Sequence, residues 1–134
     1  MTFAEFIVKN QNRKVDFDGS FGAQCVDLFR QFCKDVIQCP HTGAVEGAKD
    51  LWFNFSENDE KKYFIRLNSN YARFGDVIIW DATTTNKYGH VALVVEAYQQ
   101  DKVLVFEQNG FAQDGTKFAI RDLKSALGVL RKRV

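Results

Sequence analysis

A cysteine that opens a helix is a place where a thiol becomes a nucleophile. Cys25 stands in Asp16-Phe17-Asp18-Gly19-Ser20-Phe21-Gly22-Ala23-Gln24-Cys25-Val26-Asp27, just before the apolar-periodic Leu28-Phe29-Arg30-Gln31-Phe32-Cys33. Its sulfur would lie near unpaired backbone N–H groups and the positive end of the helix dipole. That setting lowers a thiol's pKa and enriches thiolate, the form that attacks carbonyl carbon. A second chemistry overlaps the first. Asp16, Asp18, Ser20, Gly22 and Asp27 fall at places 1, 3, 5, 7 and 12 of a twelve-residue loop, the oxygen-ligand spacing of an EF-hand calcium loop with place 7 served by a backbone carbonyl. Place 6 is Phe21 where an EF-hand has Gly, and place 12 is Asp27, shorter than Glu. Asp and Gly also favour plain turns. The expectation is a calcium ion that steadies the loop presenting Cys25, with no organic cofactor. Gln24 and the backbone N–H of Cys25 are candidate oxyanion donors.

The matching base is His90, which opens the strongest strand pattern in the chain, His90-Val91-Ala92-Leu93-Val94-Val95-Glu96. Glu107 and Asn109 lie at the end of the next strand pattern, beyond a turn centred near residue 100. Antiparallel pairing brings the start of one strand beside the end of the other, so His90 and Glu107 become near neighbours. A carboxylate or amide beside an imidazole fixes its tautomer, and the remaining ring nitrogen can take a proton from a thiol on a facing helix. The order is Cys, His, then Glu or Asn.

The elements that must position these groups follow from periodicity. Thr2-Phe3-Ala4-Glu5 is a capping-box pattern, and Phe3, Phe6 and Ile7 give one apolar face, predicting a helix over 3–9. A second helix is predicted over 25–37, burying Leu28, Phe29, Phe32 and Val36 and stopped by Pro40. A third, short helix is predicted over 44–54, turning Leu51, Trp52 and Phe53 inward, with Gly47 weakening it. Residues 56–62 read as a charged surface loop. Strands are predicted over 63–67, 76–80, 90–96, 102–107, 116–120 and 127–130, with turns at Thr83 to Asn86 and Gln99-Gln100-Asp101. Helices first and strands after give an α+β class. Trp80 ends a strand on the side where the site should lie, which makes it a candidate groove wall.

Composition bounds the rest. The 134 residues form a single domain, 1–134, and at 46% hydrophobic with thirteen Phe they can bury a core without disulfides. A net charge of +1 gives no global case for nucleic acid or a membrane surface, and the basic Arg131-Lys132-Arg133 reads as a solvated tail. Cys25, Cys33 and Cys39 are odd in number and lack CxxC spacing, so neither a disulfide framework nor a zinc site is expected. Cys33 reads as core, Cys39 has no assigned role, and His41 reads as exposed. Glu5 interrupts the N-terminal apolar run, so no secretory signal is expected, and no apolar stretch is long enough to span a bilayer. The expected product is a monomer made in the cytoplasm.

Gly22-Ala23-Gln24-Cys25-Val26-Asp27-Leu28, Gly75-Asp76-Val77-Ile78-Ile79-Trp80, Gly89-His90-Val91-Ala92-Leu93-Val94 and Glu107-Gln108-Asn109-Gly110 together resemble the CHAP domain. The name stands for the cysteine, histidine-dependent amidohydrolase/peptidase common in bacteriophage cell-wall lysins. The resemblance implies a papain-like fold of helices packed on an antiparallel sheet, and the peptide part of bacterial peptidoglycan as substrate. It makes Cys25 the nucleophile, His90 the base, Glu107 the third member and Asn109 an auxiliary polar group. The acidic loop is similar to the calcium-binding loop of staphylococcal phage members. The implied function is a peptidoglycan hydrolase, either an endopeptidase or an N-acetylmuramoyl-L-alanine amidase. It would be made in the host cytoplasm, and would act on the wall after release or be carried in the virion. Two rivals stand beside it. An NlpC-type cysteine peptidase would place Ser and Gly after the cysteine, where Val26-Asp27-Leu28 stand here. A calcium-dependent wall-binding module would bind without turnover.

Overall fold

The computed structural model describes residues 1–17, 19, 24–39, 45–98, 101–109 and 115–134. The expectations placed on Asp18, Ser20, Gly22, Pro40, His41 and the Gln99-Gln100 turn lie outside these residues.

Helix α1 (Phe3–Asn10) begins where the capping box predicts. Thr2 Oγ1 accepts from the Glu5 N–H at 3.1 Å and Glu5 Oε1 accepts from the Thr2 N–H at 2.9 Å. Helix α2 (Cys25–Phe32) buries Leu28, Phe29 and Phe32 against α1 and the sheet, with Phe3 and Phe6 meeting Phe32 edge-on at 5.5 and 5.8 Å. Cys33–Ile37 continue it as a π-helical turn with Cys33 fully buried. Left-handed Gln38 (φ 65°) ends it, and the Cys39 N–H closes onto the Cys33 carbonyl at 2.9 Å.

The third helix is much shorter than predicted. α3 covers only Asp50–Phe53, because the chain before it is engaged elsewhere. The Lys49 N–H donates to the Tyr88 carbonyl at 3.0 Å, and the Gly47 N–H is taken by Asp50 Oδ2 at 3.1 Å. Leu51 points inward and Trp52 is half-buried, but Phe53 is exposed. The loop expected over 56–62 is instead built from the 3₁₀ turns Phe55–Glu57 and Asp59–Lys62, which bury Phe55 and Glu60.

Six strands follow: β1 (Phe64–Leu67), β2 (Val77–Trp80), β3 (His90–Tyr98), β4 (Lys102–Gln108), β5 (Thr116–Asp122) and β6 (Ala126–Lys132). They form one sheet in the order β1-β6-β2-β3-β4-β5, every neighbouring pair antiparallel. The fold is α+β, N-terminal helices packed on a six-stranded antiparallel sheet. One face packs against the helices through Val77, Ile79, Val91, Leu93 and Phe106. The other carries a second apolar cluster with Ile78, Trp80, Ala92, Val94, Val103 and Val105. Arg131 is no solvated tail: its guanidinium bonds both oxygens of the buried Asp76 at 2.8 and 2.9 Å.

The β3–β4 hairpin contains an irregularity that matters for the site. Near its turn the register pairs Glu96 with Leu104 and Ala97 with Val103, but past Val95 it pairs Val94 with Val105 and Leu93 with Phe106. An inserted residue of this kind is a β-bulge. Counting on from Leu93, Ala92 faces Glu107 and His90 faces Asn109. His90, Ala92 and Glu107 then lie on one face, while Asn109 stands past the end of β4.

Candidate active site

Cys25 is the first residue of α2, and three contacts fix its position. Asp27, buried in the first turn, accepts the Gln24 N–H on Oδ2 at 2.9 Å, so its carboxylate anchors the helix start. The fully buried Gln108, near the end of β4, donates Nε2 to the Gln24 carbonyl at 2.8 Å. The same amide holds the other shoulder of the acidic loop: Nε2 donates to the Val15 carbonyl at 2.8 Å and Oε1 accepts the Val15 N–H at 2.6 Å. One side chain thus ties residues 15 and 24 to a single point on the sheet.

His90 opens β3 directly after Gly89, whose φ is +76° and where a Cβ would lie 2.4 Å from the Trp80 carbonyl. Only glycine fits there. The imidazole is tilted against the Trp80 ring, centroids 5.6 Å apart, and Nε2 lies 3.1 Å from Glu107 Oε1. Glu107 is completely buried, and Arg121 on β5 grips it from the far side through Nε to Oε1 and Nη2 to Oε2, the latter at 2.6 Å. Burial pushes the Glu107 carboxyl up, but the hydrogen bonds from Arg121 and then His90 outweigh it and bring its pKa down to about 2. An ionised carboxylate only accepts, so Nε2 carries a hydrogen and Nδ1 is the nitrogen left for a thiol. Burial pushes the His90 pKa down, yet its interactions with the neighbouring Cys25 and Glu107 raise it to about 9. The ring is therefore an imidazolium near neutral pH.

Cys25, Gln24 and Asn109 line one cleft of about 710 Å³, with Asn109 held in a left-handed backbone at φ 55°. Trp80 does not line that cleft. It lines a second one, of about 480 Å³, together with His90 and Arg121. The structure thus links Cys25, His90 and Glu107, with Asn109 on the same cleft as the cysteine. Of the five proposed calcium ligands, only Asp16 and Asp27 are among the described residues. Asp16 is exposed and its Oδ1 accepts the Gly19 N–H at 3.1 Å. One oxygen of each carboxylate is thus occupied by a backbone N–H, and Asp27 is an anchor of the helix start before it is anything else.

Sequence reasoning passed over Gln108 and Arg121. Gln108 had a signal, since strand alternation sends it to the face opposite Glu107, where the helices lie. Arg121 had none, falling one residue beyond the predicted end of its strand.

The architecture, N-terminal helices packed on a six-stranded antiparallel sheet, is papain-like. Residues 14–109 match the CHAP domain family, and the chain belongs to that family. It is 35% identical over 99 residues to the D-alanyl-L-alanine endopeptidase of Streptococcus phage B30, covering 69% of this chain and 21% of that protein. It is 31% identical over 116 residues to the endolysin PlyTW of Staphylococcus phage Twort, covering 79% of this chain and 23% of that protein. The chain thus spans less than a quarter of the length of either relative. The crystal structure of Ly7917 matches 98% of this chain and 62% of its own with a TM-score of 0.74 at 18% identity. That of the endolysin LysIME-EF1 matches 95% of this chain and 61% of its own with a TM-score of 0.66 at 19% identity. Both share its fold.

Two outcomes follow from the geometry. Gln108→Leu strands the buried N–H and C=O of Val15 and should lower unfolding free energy by about 2 kcal/mol or more, read by urea denaturation; a change within about 0.5 kcal/mol would show that the clamp carries no weight. His90 has a folded pKa near 9 against an ordinary 6.5, so its contribution to stability is complete below pH 6.5 and fades as pH rises through 9. The stability difference between wild type and His90→Ala should shrink across that window, and a widening difference would contradict the assignment.

Proposed function

We propose that this chain hydrolyses an amide bond in the peptide part of bacterial peptidoglycan. The observation that carries the reading is the linked set Cys25–His90–Glu107, its thiol on a cleft, in a chain of the CHAP family. Cys25 Sγ, its proton held on His90 Nδ1 in the imidazolium ring, attacks the amide carbonyl carbon as the thiolate. The oxyanion is met by the backbone N–H of Cys25, with the Gln24 side chain as a second donor. Collapse breaks the C–N bond as the imidazolium protonates the leaving amine, leaving a thioester on Cys25. A water molecule then attacks that thioester with His90 accepting its proton, which releases a carboxylate product and restores the thiolate. Glu107 holds the ring and offsets its charge throughout, and Asn109 is an auxiliary polar group at the cleft.

The endopeptidase direction is favoured over the amidase by the B30 relative, which bears the name D-alanyl-L-alanine endopeptidase. A role as a phage lysin acting from within the infected cell or from the virion is supported by the phage origin of both relatives. Among the described residues no helix is long and apolar enough to cross a membrane.

We also propose that calcium binds the acidic loop. Its donors would be Asp16, Asp18, Ser20, the Gly22 carbonyl and Asp27, an all-oxygen set suited to a hard cation. Asp27 Oδ2 also holds the Gln24 N–H, so the ion and the helix start would share this carboxylate. A bound ion would supply a fixed positive charge that rigidifies the loop before Cys25.

Cys25→Ala should abolish release of muropeptides from purified cell walls, followed by mass spectrometry, while the fold persists by circular dichroism. Release that survives the change would remove the reading, and the masses from wild type assign the bond cut. For the ion, calcium at a hundredfold excess over its dissociation constant should raise stability by about 2.7 kcal/mol and restore activity lost to a chelator. An unfolding curve that calcium leaves unmoved would exclude the loop site.

A further inference from the structure

We infer that Arg121 is a positioning residue of this site: its two-point grip on Glu107 keeps that carboxylate ionised and aimed at His90. The inference rests on the proposed hydrolase reading for its kinetic consequences, but not for its spectroscopic ones.

A carboxylate with no solvent exposure is costly unless it is paired and its oxygens are bonded. Around Glu107 the structure supplies two such partners on opposite sides. His90 approaches Oε1 from β3, and the Arg121 fork from β5 engages Oε1 and Oε2 together. Other charged groups lie close by: Lys117 is the register partner of Glu107 on β5, and Asp122 adjoins Arg121. The planar guanidinium bonds both carboxylate oxygens, and so fixes the plane of the carboxylate. That plane sets where the Oε1 lone pair meets Nε2–H, and hence where Nδ1 points.

The fork also decides ownership of a proton. A buried carboxylate left with only an imidazolium partner becomes more basic and competes for the ring proton. If the proton moves to Glu107, the ring loses its charge and the leaving amine loses its acid. Arg121 draws electron density from both oxygens and so keeps the proton on the ring. Among the described residues this separates two arginine–carboxylate forks by purpose. Arg131–Asp76 joins β6 to the segment before β2, whereas Arg121–Glu107 adjoins the reacting groups.

The test compares full-length wild type, Arg121→Gln and Arg121→Lys. Glutamate carboxyl carbons are followed by NMR through a pH titration, with the Glu107 signal assigned by Glu107→Gln. In wild type this carboxyl should titrate near 2, and in Arg121→Gln it should move up by about 1–3 pH units. Turnover of purified wall should fall about 100-fold in kcat with KM within about twofold, and the acid limb of the rate profile should move to higher pH. Arg121→Lys restores the charge but not the fork, so the carboxyl should return toward its wild-type titration while kcat stays about tenfold low. A Glu107 carboxyl unmoved in folded Arg121→Gln overturns the inference. So does wild-type kcat in Arg121→Lys, whether or not Arg121→Gln folds. If wild type itself releases no muropeptide, the hydrolase reading fails, and the carboxyl titration still decides the role of Arg121.

Discussion

The last two residues of β4 point to opposite faces of the sheet, and the site depends on that opposition. Glu107 faces His90 and Arg121, while Gln108 faces the helices and binds both shoulders of the loop that leads to Cys25. The base and the nucleophile are therefore referenced to adjacent peptide units of one strand. Their separation is set by backbone geometry, which is stiff, rather than by long side chains or by a loop. Both anchors are completely buried, so neither competes with water for its partners, and each would leave costly unpaired groups if it moved.

The acid–base half of the site is a row of alternating charge: imidazolium, carboxylate, guanidinium. Such a row is expensive to bury, by several kcal/mol per ion, and removing one member commonly costs about 3–5 kcal/mol because the others are left uncompensated. What the arrangement secures is direction. A carboxylate that can only accept gives His90 one tautomer and one orientation, and the raised ring pKa keeps a proton available for a departing amine. On its other flank the ring leans against Trp80, itself tethered by an indole N–H donated to the Asp122 carbonyl at 3.1 Å. Trp80 therefore serves the site as a wall behind the base rather than as a lining of the cysteine's cleft.

Much of the fold was legible because its signals are local. The capping box at Thr2 and Glu5, the apolar face of Leu28, Phe29 and Phe32, and the continuous run Val77 to Trp80 each reflect short-range periodicity or hydrogen bonding. The misreadings share a cause. Residues 45–49 had helical composition, but the Gly47 N–H is taken by Asp50 and the Lys49 N–H by the Tyr88 carbonyl, the latter visible only once two distant segments meet. Arg131 looked like a solvated tail because its partner, Asp76, lies far away in sequence.

By itself the sequence determined which groups could react: a thiol at a helix start, an imidazole at a strand start, a carboxylate and an amide at a strand end. It also determined the family, since four short motifs in order carry that information without coordinates. Tertiary structure alone decided which of these groups share a face. The bulge at Val95 shifts the β3–β4 register by one residue, and side chains alternate with a period of two. Without that extra residue, Glu107 would face Leu93 and point away from His90. No periodicity in the chain announces a single inserted residue, because its effect exists only between two paired strands.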